Sequence, residues 1–310
     1  GLVDFILKVV SERHVTEELI IAAIDEAEME MLRNGIVAVG DICNNAITVP
    51  QKIKGNLTYH NFIEATGFIP AVAGKRFQLM LDVFGEFEKW LPANSITPHA
   101  PYSVSPPLFK LLNESGANRL LSIHNQEIAD ENALFENGTG GLLSMYGMMG
   151  IDISFFRPTG QSALQSWLPH FNREQTLILV HNVATSARDV EFAGKHASGS
   201  GIQLYYCLCP NANLYISKAL PQLTLFSDLH EQMVLGTDSL ASNHQLSILS
   251  EMNTLLKFFP ALKQESLLMW ATSNGAKALE IDNKFGSFEK GKQPGIVLID
   301  DSFEKASRLL

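Results

Sequence analysis

The chain predicts an α/β fold of one kind, a (β/α)8 TIM-type barrel whose first strand is missing from the sequence. Three observations carry that prediction. Seven short apolar runs alternate with segments of helix length, the pattern of a parallel sheet with helices between its strands. Nearly every run ends in an acidic residue, a histidine or a cysteine, and barrel chemistry collects at the carboxyl ends of the strands. The 310 residues, 46% of them hydrophobic and 18% charged, suffice for one large core.

The elements follow in order. Residues 1–34 read as helical: Leu2, Phe5, Ile6 and Val9 recur at helical spacing, and a second segment starts behind Thr16, with Glu17 and Glu18 in its first turn. Thr16 is the expected N-cap and Asn34-Gly35 the expected stop. Strands are expected at 36–42, ending at Asp41, and at 57–62, delivering Glu64. Helical sequence at 73–90 precedes a short strand at 95–97 that leads into Pro98-His99-Ala100-Pro101-Tyr102. Further strands are expected at 120–124, 176–181, 202–206 and 233–237, the last delivering Asp238. Helices are expected at 107–115, 159–171, 186–196, 244–259 and 264–279. Residues 1–285 form the barrel in this reading. Residues 286–310 are turn-rich and then strand-like, the remnant of a small accessory β domain whose other half would precede residue 1. The start at Gly1 rather than Met predicts that the first strand lies upstream.

The formal net charge of -10, with scattered basic residues, argues against a nucleic-acid or anionic membrane partner. No apolar run approaches a membrane span. Three cysteines make no disulfide framework and suit a cytoplasmic protein. Cys207 and Cys209 are expected in the core. The other histidines, His14, His60, His170, His196, His230 and His244, are expected on the surface or in loops. Gly138-Thr139-Gly140-Gly141 reads as a turn. The Met- and Phe-rich stretch 145–156 reads as core packing or as the lining of an apolar pocket.

At the strand ends stand Asp41, Glu64, His99, His124, His181, Cys207 with Cys209, and Asp238. Glu127 follows His124 by three residues. Neutral imidazoles with a carboxylate suit zinc or ferrous iron, and an open position on such an ion carries water. Asp41, Glu64 and Tyr102 are further candidates for substrate contact.

Several of these segments together resemble the amidohydrolase superfamily. They are His124 with Glu127, Val180-His181-Asn182, the run from Leu235 to Asn243 (LGTDSLASN), Ala271 to Leu279 (ATSNGAKAL), Pro98 to Tyr102, Cys209-Pro210-Asn211-Ala212-Asn213, and Gly286 to Lys292. The resemblance is closest to the aminohydrolase branch of adenosine and cytosine deaminases, which includes S-adenosylhomocysteine, methylthioadenosine and aminofutalosine deaminases and chlorohydrolases. It implies that His124 and Asp238 bind one divalent metal, zinc before iron. It implies that Glu127, His181 and Asp238 are catalytic: Glu127 protonates a ring nitrogen, His181 orients the attacking water, and Asp238 takes its proton. His99, His181 and Glu127 would contact a small-molecule substrate, an amino-substituted heterocycle such as a purine nucleoside. The fourth expected strand leads to His99 where two-metal relatives carry a carboxylated lysine, which points to a single ion.

One departure stands out: the superfamily takes two more ligands from a His-x-His pair on the first strand, and no His-x-His occurs here. Two protein ligands make a poor zinc site. The competing reading is a metal-free barrel serving as a binding or assembly module; hydrolysis of another C–N or a C–Cl bond would use the same activated water. A homodimer through barrel helices is an ordinary expectation. A Ser-His-Asp hydrolase is disfavoured, because no Gly-x-Ser-x-Gly elbow is present.

Overall fold

A computed structural model describes residues 1–11, 15–116 and 118–310; His14 lies outside the described residues. Seven strands carry the body: β1 (Ala38–Cys43), β2 (Thr58–Ala65), β3 (Asn94–Pro98), β4 (Leu120–Asn125), β5 (Thr176–His181), β6 (Gln203–Leu208) and β7 (Met233–Leu235). All neighbouring pairs are parallel, in two runs ordered β1-β2-β3 and β4-β5-β6-β7. Each expected strand is present to within two or three residues. The runs are rich in Leu, Ile and Val because helices cover the sheet on its outer face and its residues have no water to meet. Leu121, Ile123, Leu177, Leu179, Tyr206 and Met233 join one buried cluster with Phe87, Leu112, Trp167 and Leu255 from the surrounding helices.

Side-chain bonds and one backbone bond, rather than a backbone ladder, join the two runs. The Thr97 hydroxyl on β3 donates to the Ser122 carbonyl on β4 and accepts from the Ser122 amide at 2.7 Å. The Asn118 amide oxygen accepts from Ile96 N at 2.9 Å, and His124 N donates to His99 O at 2.8 Å. Among the described residues no strand pairs β7 with β1.

The helices run Leu2–Ser11, Glu17–Arg33, Ala73–Glu88, Pro106–Glu114, Ala187–Ser200 and Ile248–Phe258, close to expectation. Ser186 and Asp189 close a capping box at the start of Ala187–Ser200, which stops at Gly201 in a left-handed conformation. The helix ending at Arg33 turns off through Asn34 and Gly35 as expected. Gly35 has φ +80°, and a Cβ there would fall 2.5 Å from a Val297 methyl, so only glycine fits. Thr16 takes the N-cap position without a capping side-chain bond. The expected helix at 159–171 is shorter, Ala163–Trp167 followed by one 3-10 turn, because Pro158 and Gly160 break its start. The segment 264–279 carries a π-helical stretch at Trp270–Asn274.

Helices Ala129–Asn137, Gly141–Met148 and Pro210–Ile216 were not expected from periodicity. Gly138 to Gly141 is the junction of the first two, where Gly138 and Gly140 take positive φ. Met145 and Tyr146 pack with Leu2, Phe68, Tyr102, Leu134 and Phe135 in a second buried cluster, so that part of the Met-rich stretch is core. His60 corrects its expectation: it sits within β2, tilted against the Phe62 ring and 3.0 Å from Ser95 Oγ, because the alternation of the strand turns it away from solvent. His170 and His196 are likewise engaged, by the Phe109 ring and the Phe171 carbonyl.

Residues 297–308 form a hairpin, β8 (Val297–Ile299) antiparallel to β9 (Ala306–Arg308). Ile299, Phe303 and Ala306 pack against the main cluster. Among the described residues no helix is long and apolar enough to cross a membrane.

Candidate functional site

The carboxyl ends of β2, β3, β4 and β5, with the loop after β7, bring Glu64, His99, His124, Glu127, His181 and Asp238 to one end of the sheets. The backbone there is unusual. Gln126, His181, Asn182 and Asp238 all have positive φ, between 48° and 79°, a conformation uncommon outside glycine. Each strand or loop breaks sharply at its functional residue. Such strain persists only where surrounding bonds impose it, and those bonds are present. Asn182 N donates to Asn125 O at 3.0 Å, Ala184 N donates to Gln126 O at 2.8 Å, and the Asn125 side chain bridges Trp167 Nε1 and the Asn182 side chain.

The three imidazoles form a row. His124 lies 5.0 Å from His99 and 5.1 Å from His181, centroid to centroid, with the His124 and His181 rings stacked nearly parallel. His124 Nδ1 and His181 Nε2 are 2.9 Å apart. Carboxylates flank the row: Glu64 Oε1 is 3.8 Å from His124 Nε2, and Glu127 Oε2 is 3.8 Å from His181 Nε2. His99 Nδ1 meets Ser103 Oγ at 2.7 Å, and its ring lies edge-on to Tyr102. Asp238 accepts from the Ser242 hydroxyl at 2.6 Å.

Burial controls the protonation states. It lowers His99 to about 4 and lowers His124 and His181 as well, so burial disfavours a charge on each ring. The two acids are driven apart. Burial pushes Glu127 up to about 7, against the pull of His124. At Asp238 burial also disfavours the charge, but His181, His124 and the Ser242 hydroxyl outweigh it and hold the carboxyl below its ordinary range. Two neighbouring carboxyls with opposed shifts can divide acid and base roles.

The donor set suits a divalent ion. Glu64, His99 and His124 place three ligand atoms within 4.8 Å of one another, and so do His124, Glu127 and His181. His124 belongs to both groups; Asp238 belongs to neither. A metal-binding imidazole ties its second nitrogen to an acceptor. At His181 that nitrogen, Nδ1, lies 3.0 Å from the Asn213 amide nitrogen, while Asn213 Oδ1 is buried without a hydrogen-bond partner among the described residues. A half-turn of this amide would let Oδ1 accept from a protonated Nδ1 and leave Nε2 free to ligate. The orphaned oxygen therefore fits a metal-bearing state.

The other expectations fall as follows. Asp41 stands two residues inside β1 rather than at its end, ion-paired with the buried Lys52 at 2.5 Å; the strand runs on because Ile42 and Cys43 extend its ladder with β2. Tyr102 is buried beside His99, its carbonyl accepting from the Tyr146 hydroxyl. Cys207 and Cys209 are buried and free. Sequence reasoning missed Asn213, Glu131 and Glu251. Glu131 could have been sought at the third position of a helix start, where acids reach back to free amides.

The Amidohydrolase family matches residues 3–308. The chain is 27% identical over 216 residues to a 5-methylthioadenosine/S-adenosylhomocysteine deaminase of Syntrophobacter fumaroxidans, covering 66% of this chain and 43% of that protein. It is 27% identical over 298 residues to an adenosine deaminase of Helicobacter pylori, covering 93% and 70% of the two chains. Among solved structures, Helicobacter pylori aminofutalosine deaminase in complex with methylthio-coformycin superposes with a TM-score of 0.73 at 25% identity, over 88% of this chain and 66% of that one. A zinc-bound adenosine deaminase of Xanthomonas campestris gives 0.67 at 21% identity, over 95% and 64%, and so shares the fold. The chain thus spans less than half of the first relative and about two thirds of the others.

Proposed function

The chain belongs to the amidohydrolase family, and on that premise we propose that it is a metal-dependent aminohydrolase that removes the amino group of a purine-like nucleoside. One observation carries the reading: two carboxyls, the buried Glu127 and the half-buried Asp238, stand beside the same two imidazoles, and their acidities are pushed in opposite directions. A binding or assembly module has no use for that arrangement, whereas hydrolytic deamination needs one acid and one base. The names of the relatives supply the substrate class: adenosine, methylthioadenosine and S-adenosylhomocysteine.

His124 and Asp238 would hold the ion, zinc before iron, with His181 beside them. When bound, the ion supplies the Lewis acidity that makes water nucleophilic near neutral pH. His181 orients that water toward the carbon bearing the amino group, and Asp238, the stronger acid of the pair and so ionised, takes its proton. Glu127, half protonated near neutrality, gives its proton to the adjacent ring nitrogen. Asp238 then passes its proton to the departing amino group, which leaves as ammonia, and the proton of the new hydroxyl returns to Glu127. His99, held by Ser103, bears on the substrate. In the same reading β1 to β7 are seven strands of an eight-stranded barrel over residues 1–285, and residues 286–310 belong to a small β domain. The three free cysteines suit the cytoplasm.

The test is ammonia release by the zinc-loaded protein from adenosine, 5′-methylthioadenosine and S-adenosylhomocysteine, with the ultraviolet change from an amino to an oxo purine. Turnover of at least one is expected. Protein that holds one zinc per chain and releases no ammonia from any of them would overturn the proposal.

A further inference from the structure

Glu127 is carried on a loop between β4 and helix Ala129–Asn137, and a loop is a poor platform for an acid that must meet one ring nitrogen. What holds this loop is Glu131, in the first turn of that helix and fully buried. Its Oε1 accepts from Glu127 N at 2.7 Å and its Oε2 from Gln126 N at 3.0 Å. Both oxygens of one carboxylate thus fasten two consecutive amides, the second belonging to the residue that presents the acid. Gln126 has φ +48°, so the segment would relax if released. The Gln126 side chain is gripped as well, donating to Asn132 Oδ1 and Asp189 Oδ2 and accepting from the Thr185 hydroxyl. These bonds tie down Gln126; among the described residues only the bond from Glu131 reaches the backbone of Glu127 itself.

We propose that Glu131 is a positioning residue, which clamps the amides of Gln126 and Glu127 and so sets where the Glu127 carboxyl stands. The inference rests on the aminohydrolase reading for its catalytic consequence, though the clamp itself does not. Burial and the neighbouring Glu127 push this group up to about 8, but an amide N–H points at each of its oxygens, so both must accept. A glutamine at 131 would keep one acceptor and turn an N–H toward the other amide, so one of the two backbone donors would lose its partner.

The experiment has two arms. In the first, amide hydrogen exchange is measured in the whole protein and in Glu131→Gln. Exchange at Gln126 and Glu127 is expected to quicken by about tenfold or more, with the amides of β5 unchanged. Unchanged protection at both positions would overturn the clamp, and this arm decides even if no substrate is turned over. In the second, a double-mutant cycle is run on the zinc-loaded protein with whichever of the three nucleosides is turned over. Glu131→Gln alone is expected to lower kcat by roughly 10²-fold, the scale of a misplacement of about 1 Å, with KM and zinc content little changed. In a Glu127→Gln background the same substitution should cost less than about threefold, since an acid that no longer exists cannot be misplaced. Additive losses, or loss of zinc, would show a general structural role and refute positioning. Glu131→Asp, which keeps both acceptors on a shorter arm, guards against a folding failure and should fall between wild type and Glu131→Gln in both arms.

Discussion

Asn213 offers the sharpest test of whether the imidazole row is a metal site. Its side chain and that of His181 are both fully buried, and its amide is 3.0 Å from His181 Nδ1. Asn213→Ala removes this partner, leaving Nδ1 facing apolar or empty space. A buried polar group left without its bond costs about 1–3 kcal/mol. At about 1.4 kcal/mol per factor of ten, that is roughly 5- to 150-fold in an equilibrium constant, the range in which groups behind a ligand act on metal affinity. If His181 must hold a proton on Nδ1 to direct Nε2 at the ion and its water, this cost falls on the metal-bound state, and zinc affinity should weaken by that factor. Asn213→Asp offers a carboxylate to the same nitrogen and should restore affinity. The assay is zinc titration against a competing chelator for all three proteins, with far-ultraviolet dichroism as the check on folding. Zinc dissociation constants within about twofold of one another would refute the reasoning and remove His181 from the metal's surroundings.

Four further outcomes are expected. Asp238→Asn should lower kcat by about 10²–10⁴-fold, the ordinary worth of a general base, while Glu127→Gln should lower kcat comparably and leave zinc content unchanged; an emptied site in Glu127→Gln, by elemental analysis, would move that residue into the ligand set. Thr97→Val keeps the shape of the side chain but leaves the Ser122 amide and carbonyl, both bonded to the Thr97 hydroxyl, without partners between β3 and β4. Urea unfolding should show a loss of about 2–4 kcal/mol; a loss under about 0.5 kcal/mol would mean that these bonds do not join the sheets. Burial raises Glu251 to about 7, against hydrogen bonds from Asn211 and Asn243. The folded chain then binds the more protons between the unfolded value near 4.5 and about 7, so this group's contribution to stability falls as pH rises through that window and levels off above it, by on the order of 3 kcal/mol. Unfolding at about pH 5 and pH 7.5 should show this component in the wild type and lose it in Glu251→Gln; identical pH dependence in the two proteins would sink the assignment.

Much of this protein was legible in the sequence because its signals are local. The period of apolar runs follows from burial between helices, and all seven expected strands are present. The stop at Asn34-Gly35 follows from the conformational freedom of one glycine. The residues His99, His124, His181 and Asp238 were found by reading only strand ends, a rule about barrels rather than about neighbours in sequence. Asp41 misled that rule: its run looks complete at the aspartate, yet two more residues pair with β2, and the side chain turns to Lys52 instead.

Tertiary structure alone decided the rest. That Glu127 rises to about 7 while Asp238 falls depends on which side chains surround each carboxyl; beside the near neighbours His124 and Ser242, these include Asp238 near Glu127 and both His181 and His124 near Asp238, pairs far apart in sequence. The same holds for Asn213, which meets His181 across 32 residues, and for Thr97, which replaces a backbone ladder across 25. An asparagine or a threonine in a sequence announces a hydrogen-bonding capacity without its partner, and a carboxylate announces a charge without its surroundings. Apolar periodicity could therefore specify the strands, but burial and hydrogen bonding between distant segments set which nitrogen is held, which acid keeps its proton and which loop is clamped.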